Sequence, residues 1–272
     1  MKKTTFLTAL LVLMAVFTAQ SQTAVQPAGD GTSGNPYQIA TLNNLYWLSQ
    51  ADTAWDKNYI QTADINAAET HIWDISGTDT LGFSPIGNDG IKFIGSYNGQ
   101  GHIIDRLFIN RPDSSFVGLI GYSNGTIVDS LGITNVEIIG DQYVGAVVGH
   151  NRYSSNVNNC YSTGVVTGSN YVGGLVGMNQ STSDIYNSYS TVNVTGTDDV
   201  GGLLGVDWNG THIENCYSIG VVSGSVPVGG LIGRQGNGGT TSNSFWDTET
   251  SGQTTSDGGT GKTTAEMQTI TT

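Results

Sequence analysis

Four aromatic side chains recur at one interval: Tyr161, Tyr189, Tyr217 and Phe245 stand 28 residues apart. Exposed on a common flank, they form a row of rings of the kind on which sugars stack. Turned inward or packed ring on ring, the same row is structural. Tyr143 and Tyr171 make a shorter pair, and that series breaks at Asp199 and Pro227. A further series places Asn151, Asn179, Asp207 and Gln235 at one position of successive repeats. Side-chain oxygens in such a row suit calcium, and a hydrogen-bonded turn uses the same atoms.

Other residues capable of chemistry are dispersed. Asp198, Asp199, Asp207 and Glu214 fall in or near neighbouring turns. Two carboxylates about 5 to 9.5 Å apart would serve a glycosidase, whereas solvated turn acids need no such pairing. A lyase acting on uronates needs cations, and the repeats offer Arg152 and Arg234, which are out of phase. His71, His102, His150 and His212 are scattered, so no nucleophile, base and orienting group converge. Cys160 and Cys216 lie two repeats apart with Ser188 between them. Two coils of parallel strands separate them by about 9.6 Å, beyond the roughly 7 Å that a disulfide spans. Two separate buried thiols are expected, without a disulfide or a zinc site. Gly258-Gly-Thr-Gly-Lys-Thr-Thr264 lacks the first glycine of a phosphate loop, because Ser256 stands there.

What positions these residues is the repeat itself. Gly121, Gly149, Gly177, Gly205 and Gly233 are each 28 residues apart, as are Leu119, Val147, Leu175, Leu203 and Leu231. The same step relates Asn159, Asn187, Asn215 and Asn243, each two residues before the aromatic series. The repeated apolar residues are largely Val and Ile between Thr, Ser and Tyr, which fit pleated strands. A repeat of this size cannot bury its apolar face alone, and stacking in register builds a continuous core. The predicted fold is all-β: a right-handed parallel β-helix of about seven coils, with the hand set by the rule for parallel crossovers. Gly174, Gly202 and Gly230 would be costly in open strands, so close approach between coils is expected there.

At this point the residues resemble a known family. Tyr171-Val-Gly-Gly-Leu-Val-Gly177, Asn187-Ser-Tyr-Ser190 and Val194-Thr-Gly196 are similar to the GLUG repeat of bacterial surface proteins, among them adhesin-like proteins and some immunoglobulin A peptidases. The resemblance covers about residues 116 to 250, with Phe93 to Ile104 and Gly29 to Ile39 similar to the segments that precede such repeats. It implies a β-helix and a surface location without implying one activity. The zinc motif H-E-x-x-H of the peptidase members does not occur here.

The ends complete the reading. Residues 1–21 have the form of a secretory signal peptide, with Lys2 and Lys3 before an apolar run from Phe6 to Phe17 and cleavage expected after Ser21. That run is too short to span a bilayer, so no membrane span is expected after cleavage. Removing the two lysines leaves seven basic against 22 acidic residues, a net charge of −15, which disfavours nucleic acid as a partner. Residues 22–115 are expected to form an N-terminal cap and irregular first coils. Within them, Thr41 should cap a short helix running to Gln50. Residues 116–255 are read as the regular β-helix and 256–272 as a loosely ordered tail. The functional expectation is a non-catalytic, adhesin-like binding module, exported to the cell surface, periplasm or medium. Its partner would be an extracellular glycan or a matrix or surface protein, bound on the solenoid side. A carbohydrate-active β-helix enzyme and a structural stalk or piece of a larger surface protein are the alternatives. The oligomeric state is not legible.

Overall fold

The computed structural model describes residues 22–269. The signal-peptide reading of residues 1–21 lies outside the described residues. Each 28-residue repeat makes one turn of a parallel β-helix. Gln142–Val144, Val148–Arg152, Asn156–Asn158 and Tyr161–Thr167 make up one such turn. Each strand pairs in parallel with its successor, so that Val144 meets Val172, Val148 meets Val176, Val157 meets Ile185 and Tyr161 meets Tyr189. The five-stranded sheet counts five regular turns, fewer than the seven or so coils expected, while the eight-stranded sheet continues through irregular N-terminal turns.

The strands alternate as their sequences require. Val128, Val157, Ile185 and Ile213 stack in the interior with no exposed surface, one above the other. Burying each such side chain contributes about 1.5–3 kcal/mol, and that burial exists only because the neighbouring coil covers it. The chain then turns at Asn159, Asn187, Asn215 and Asn243, whose φ angles of 51°, 48°, 55° and 46° lie in the left-handed region. Asn enters that region more readily than most residues, which accounts for its recurrence two residues before each aromatic. Gly174 and Gly202 answer a different demand. A Cβ on Gly202 would sit 2.3 Å from the Gly230 carbonyl oxygen, and one on Gly174 would sit 2.1 Å from Ser190 Oγ.

At the N-terminal end the helix Leu42–Gln50 forms as expected, with Thr41 and Asn44 capping each other's backbone N–H groups. It buries Leu45 and Leu48 on the first coil, and Trp55 Nε1 donates to the Leu48 carbonyl at 2.8 Å. The step between successive strands of the longest ladder runs 22, 38, 31 and 29 residues before settling at 28. The excess residues leave the coil as loops.

The C-terminal stretch departs from expectation. Residues 256–269 are ordered and close the solenoid. Thr260–Lys262 pairs in parallel with Phe245–Asp247, and Thr263 caps the helical turn Thr264–Met267. Ser256 Oγ accepts from the Ile232 N–H at 2.9 Å, and Asp257 Oδ2 accepts from the Gln235 N–H at 3.1 Å. The last coil presents backbone groups that need partners, and a Ser-, Thr- and Gly-rich segment supplies them. The composition that suggested a loose tail is the one this closure uses.

Candidate functional site

The tyrosine row lies on the flank of the solenoid. Tyr161 and Tyr189 stack with ring centroids 5.0 Å apart and planes 7° apart, and Tyr189 and Tyr217 with 4.8 Å and 2°. Phe245 continues the register beside Tyr217. All four are half-buried. Because the faces cover one another in an offset stack, the row presents ring edges and hydroxyls. The outer face of Tyr161 rests over Gly132, whose added Cβ would lie 2.5 Å from Tyr161 Cζ. Burial and the neighbouring phenols raise the Tyr189 hydroxyl above its ordinary range, and burial raises that of Tyr217. The ladder is thus a line of neutral hydroxyls, one per coil, on a rigid frame.

Asn151, Asn179 and Asp207 are also brought together, but in the interior. All three are fully buried. Ser123 Oγ donates to Asn151 Oδ1 at 2.8 Å, Asn151 Nδ2 to Asn179 Oδ1 at 2.8 Å, and Asn179 Nδ2 to Asp207 Oδ1 at 3.4 Å. The amides also donate to the carbonyls of Ser155 and Ser183 at 3.1 and 2.8 Å. This ladder ties coil to coil. It does not fit the calcium expectation, because the oxygens a cation would need already accept N–H or O–H groups and face no solvent. Among the described residues no group of three His, Cys, Asp or Glu side chains is placed to hold a metal.

The remaining acids are divided among different faces. Asp207 belongs to the interior ladder, Asp199 sits at a corner 2.8 Å from Arg234 Nε, and Glu214 lies on the strand His212–Glu214. Burial outweighs the Arg234 charge and pushes Asp199 up to about 6. A shallow groove of about 600 Å³ beside His71, Arg106 and Asn135 holds one carboxylate, Glu137. His102 and His212 each contact an aspartate, Asp64 and Asp184 respectively, at 3.0 Å. Cys160 and Cys216 are buried, unpaired thiols pushed up to about 12 by burial. Their backbone N–H groups donate to Ser188 and Ser244 Oγ, both at 3.1 Å.

A second aromatic group was legible in sequence only as the pair Tyr143 and Tyr171. The fold adds Phe116 before them, with centroid distances of 4.9 and 4.8 Å along the series. It also sets Tyr122 and His150 alongside, 4.6 Å apart, from the strands Ile120–Asn124 and Val148–Arg152. Phe116 did align with Tyr143 at the repeat interval. Tyr122 and His150 occupy a different position of the repeat, so periodicity alone did not join the two series.

Comparison with known proteins agrees with the repeat architecture. The model of the GLUG motif matches residues 140–167 and 168–195. Halomucin of Haloquadratum walsbyi is 35% identical over 143 residues, which are 51% of this chain and 2% of halomucin. A protein of Evansella cellulosilytica, provisionally named a Gly-rich membrane protein, is 31% identical over 154 residues, 54% of this chain and 17% of that one. The chain therefore spans a small fraction of either relative. A crystal structure from Bacteroides ovatus, provisionally named an immunoglobulin A1 protease, superimposes with a TM-score of 0.68 over 88% of this chain and 87% of its own, at 20% identity. That likeness is one of fold. Among the described residues no helix is long and apolar enough to cross a membrane.

Proposed function

For this chain, a parallel β-helix that carries GLUG motifs, we propose an adhesin-like role, displayed at the cell surface or secreted, with the solenoid side as a non-catalytic binding face. The observation that carries this reading is the half-buried row of Tyr161, Tyr189 and Tyr217, which offers a hydroxyl at each coil along a straight edge. Such spacing suits an extended glycan, whose successive sugars can each meet one phenol. The solenoid contributes preorganisation: rings already stacked lose little freedom on binding. Export is supported by the signal-peptide form of residues 1–21 and by the surface setting of proteins that GLUG repeats resemble.

The test is binding of purified residues 22–272 to arrays of glycans and matrix proteins. A glycan hit that weakens about tenfold in Tyr189→Ala, with thermal stability retained, is the expected result. Absence of binding at micromolar protein, or hits indifferent to Tyr161→Ala, Tyr189→Ala and Tyr217→Ala alike, would overturn the reading and favour a structural stalk.

A further inference from the structure

The second aromatic group differs from the tyrosine row in its chemistry. Phe116, Tyr143 and Tyr171 hold φ angles of 64°, 56° and 57°. Bulky residues rarely occupy that region, and such outliers persist where the surroundings over-determine them. Here the ring stack supplies that constraint. Arg152 adds a cation: its Nη1 donates to the Tyr122 hydroxyl at 3.1 Å, and its Cζ lies 4.2 Å from the centroid of the Tyr153 ring. Lys92 Nζ lies 5.2 Å from the centroid of Tyr122 and is also 3.5 Å from Asp89. Among the described residues no carboxylate lies within ion-pair distance of Arg152, although the chain carries 22 acids.

Two buried polar atoms at this place lack partners: His150 Nδ1 and Arg152 Nε. His150 is 5% exposed and its Nε2 faces Gln180 Oε1 at 3.2 Å. That contact requires the proton on Nε2, which leaves Nδ1 as a bare acceptor. An unmet acceptor and an unmet guanidinium N–H, both under a half-buried aromatic stack, cost free energy in the unliganded protein. A ligand that accepts from Arg152 and donates to His150 would recover it.

We propose that Phe116, Tyr143, His150 and Arg152 form a second binding site, which takes a carboxylate-bearing sugar of an acidic glycan. The guanidinium pairs with the carboxylate, a ring hydroxyl donates to His150 Nδ1, and the apolar face of the sugar lies on the aromatic stack. The remote acids of the chain do not forbid this, because screening at physiological salt acts over about 8 Å. The site stands independently of the tyrosine row, which belongs to a different sheet.

Isothermal titration of residues 22–272 with an oligogalacturonate, a neutral oligosaccharide of equal length and acetate tests the proposal. The acidic oligosaccharide should bind at one site and the neutral one at least about tenfold more weakly. Arg152→Gln should lose about tenfold or more in affinity, whereas Tyr189→Ala should bind as the unsubstituted protein does. If Tyr143→Ala fails to fold, the His150 ring resonances of the intact chain, followed by NMR, should still shift with the acidic oligosaccharide and not with the neutral one. Equal binding of the neutral sugar, competition by acetate as strong as by the oligosaccharide, unchanged affinity in Arg152→Gln, or no binding at millimolar ligand would each overturn it. Loss of binding in Tyr189→Ala with retention in Arg152→Gln would return the acidic ligand to the tyrosine row.

Discussion

Gln235 Nε2 donates to Asp207 Oδ2 at 2.9 Å, one coil along, and so ends the interior amide ladder on a carboxylate without a cation. The Thr211 hydroxyl and Asn179 Nδ2 donate to the other oxygen. Burial still raises the Asp207 carboxyl above its ordinary range, with these donors pulling the other way. A raised acid stabilises the fold when protonated, and the contribution disappears as pH climbs through its folded value. Asp207→Asn should therefore raise Tm at pH 7 by about 2 to 4 °C, on the order of 1 kcal/mol. The amide can donate to the Thr211 carbonyl as Asn151 and Asn179 donate to Ser155 and Ser183, with the Gln235 amide turned over. Thermal melts across pH 3 to 7 should show the gap opening as pH rises above the ordinary carboxylate range. A gap that is constant with pH would contradict the buried-charge account.

Gly202→Val should be severely destabilising. Its Cβ would stand 2.3 Å from the Gly230 carbonyl oxygen and 2.8 Å from Ser218 Oγ. The backbone oxygen cannot move without displacing the next coil. We expect a loss of about 3 kcal/mol or more and a drop in Tm of about 6 °C or more. Gly34→Ala, where an added Cβ meets nothing within 4 Å, serves as the control. Denaturant titration of both variants checks the contrast.

Removal of residues 256–272 should expose the last coil. Ser256 and Asp257 would no longer accept from Ile232 and Gln235, and Phe245–Asp247 would lose its parallel partner. An unpaired parallel edge is a template for association. Sedimentation or light scattering should show concentration-dependent oligomers in the truncated chain, with a lower melting temperature. A monomeric truncation of unchanged stability would mean that these contacts do not close the solenoid.

Cys160 and Cys216 should resist alkylation while the protein is folded. Both are 1% exposed, and burial pushes their thiols up to about 12, so the reactive thiolate is scarce at pH 8. Iodoacetamide labelling followed by mass spectrometry should find both unmodified in buffer and both modified in urea. Labelling of either in buffer would point to opening of the coil around it.

The sequence by itself determined the period, the parallel stacking and the inward positions. Five copies of one pattern report the same environment repeatedly, and Val144, Val172, Val200 and Val228 could be aligned without any coordinates. The helix after Thr41 was legible because a capping residue followed by apolar positions is a local signal. What a polar series does was not legible. Asn151, Asn179 and Asp207 look alike in sequence whether they face solvent, calcium or one another, and only the closed coil turns them inward. The tyrosine row was visible as a recurrence, but its presentation of edges follows from the offset between coils. The cluster of Phe116, Tyr122, Tyr143 and His150 was invisible because it joins two positions of the repeat that meet across a corner. The closing role of residues 256–269 was hidden for a related reason. Serine and threonine read as loop formers locally, and only the unpaired end of the last coil makes their hydroxyls and backbone into a cap.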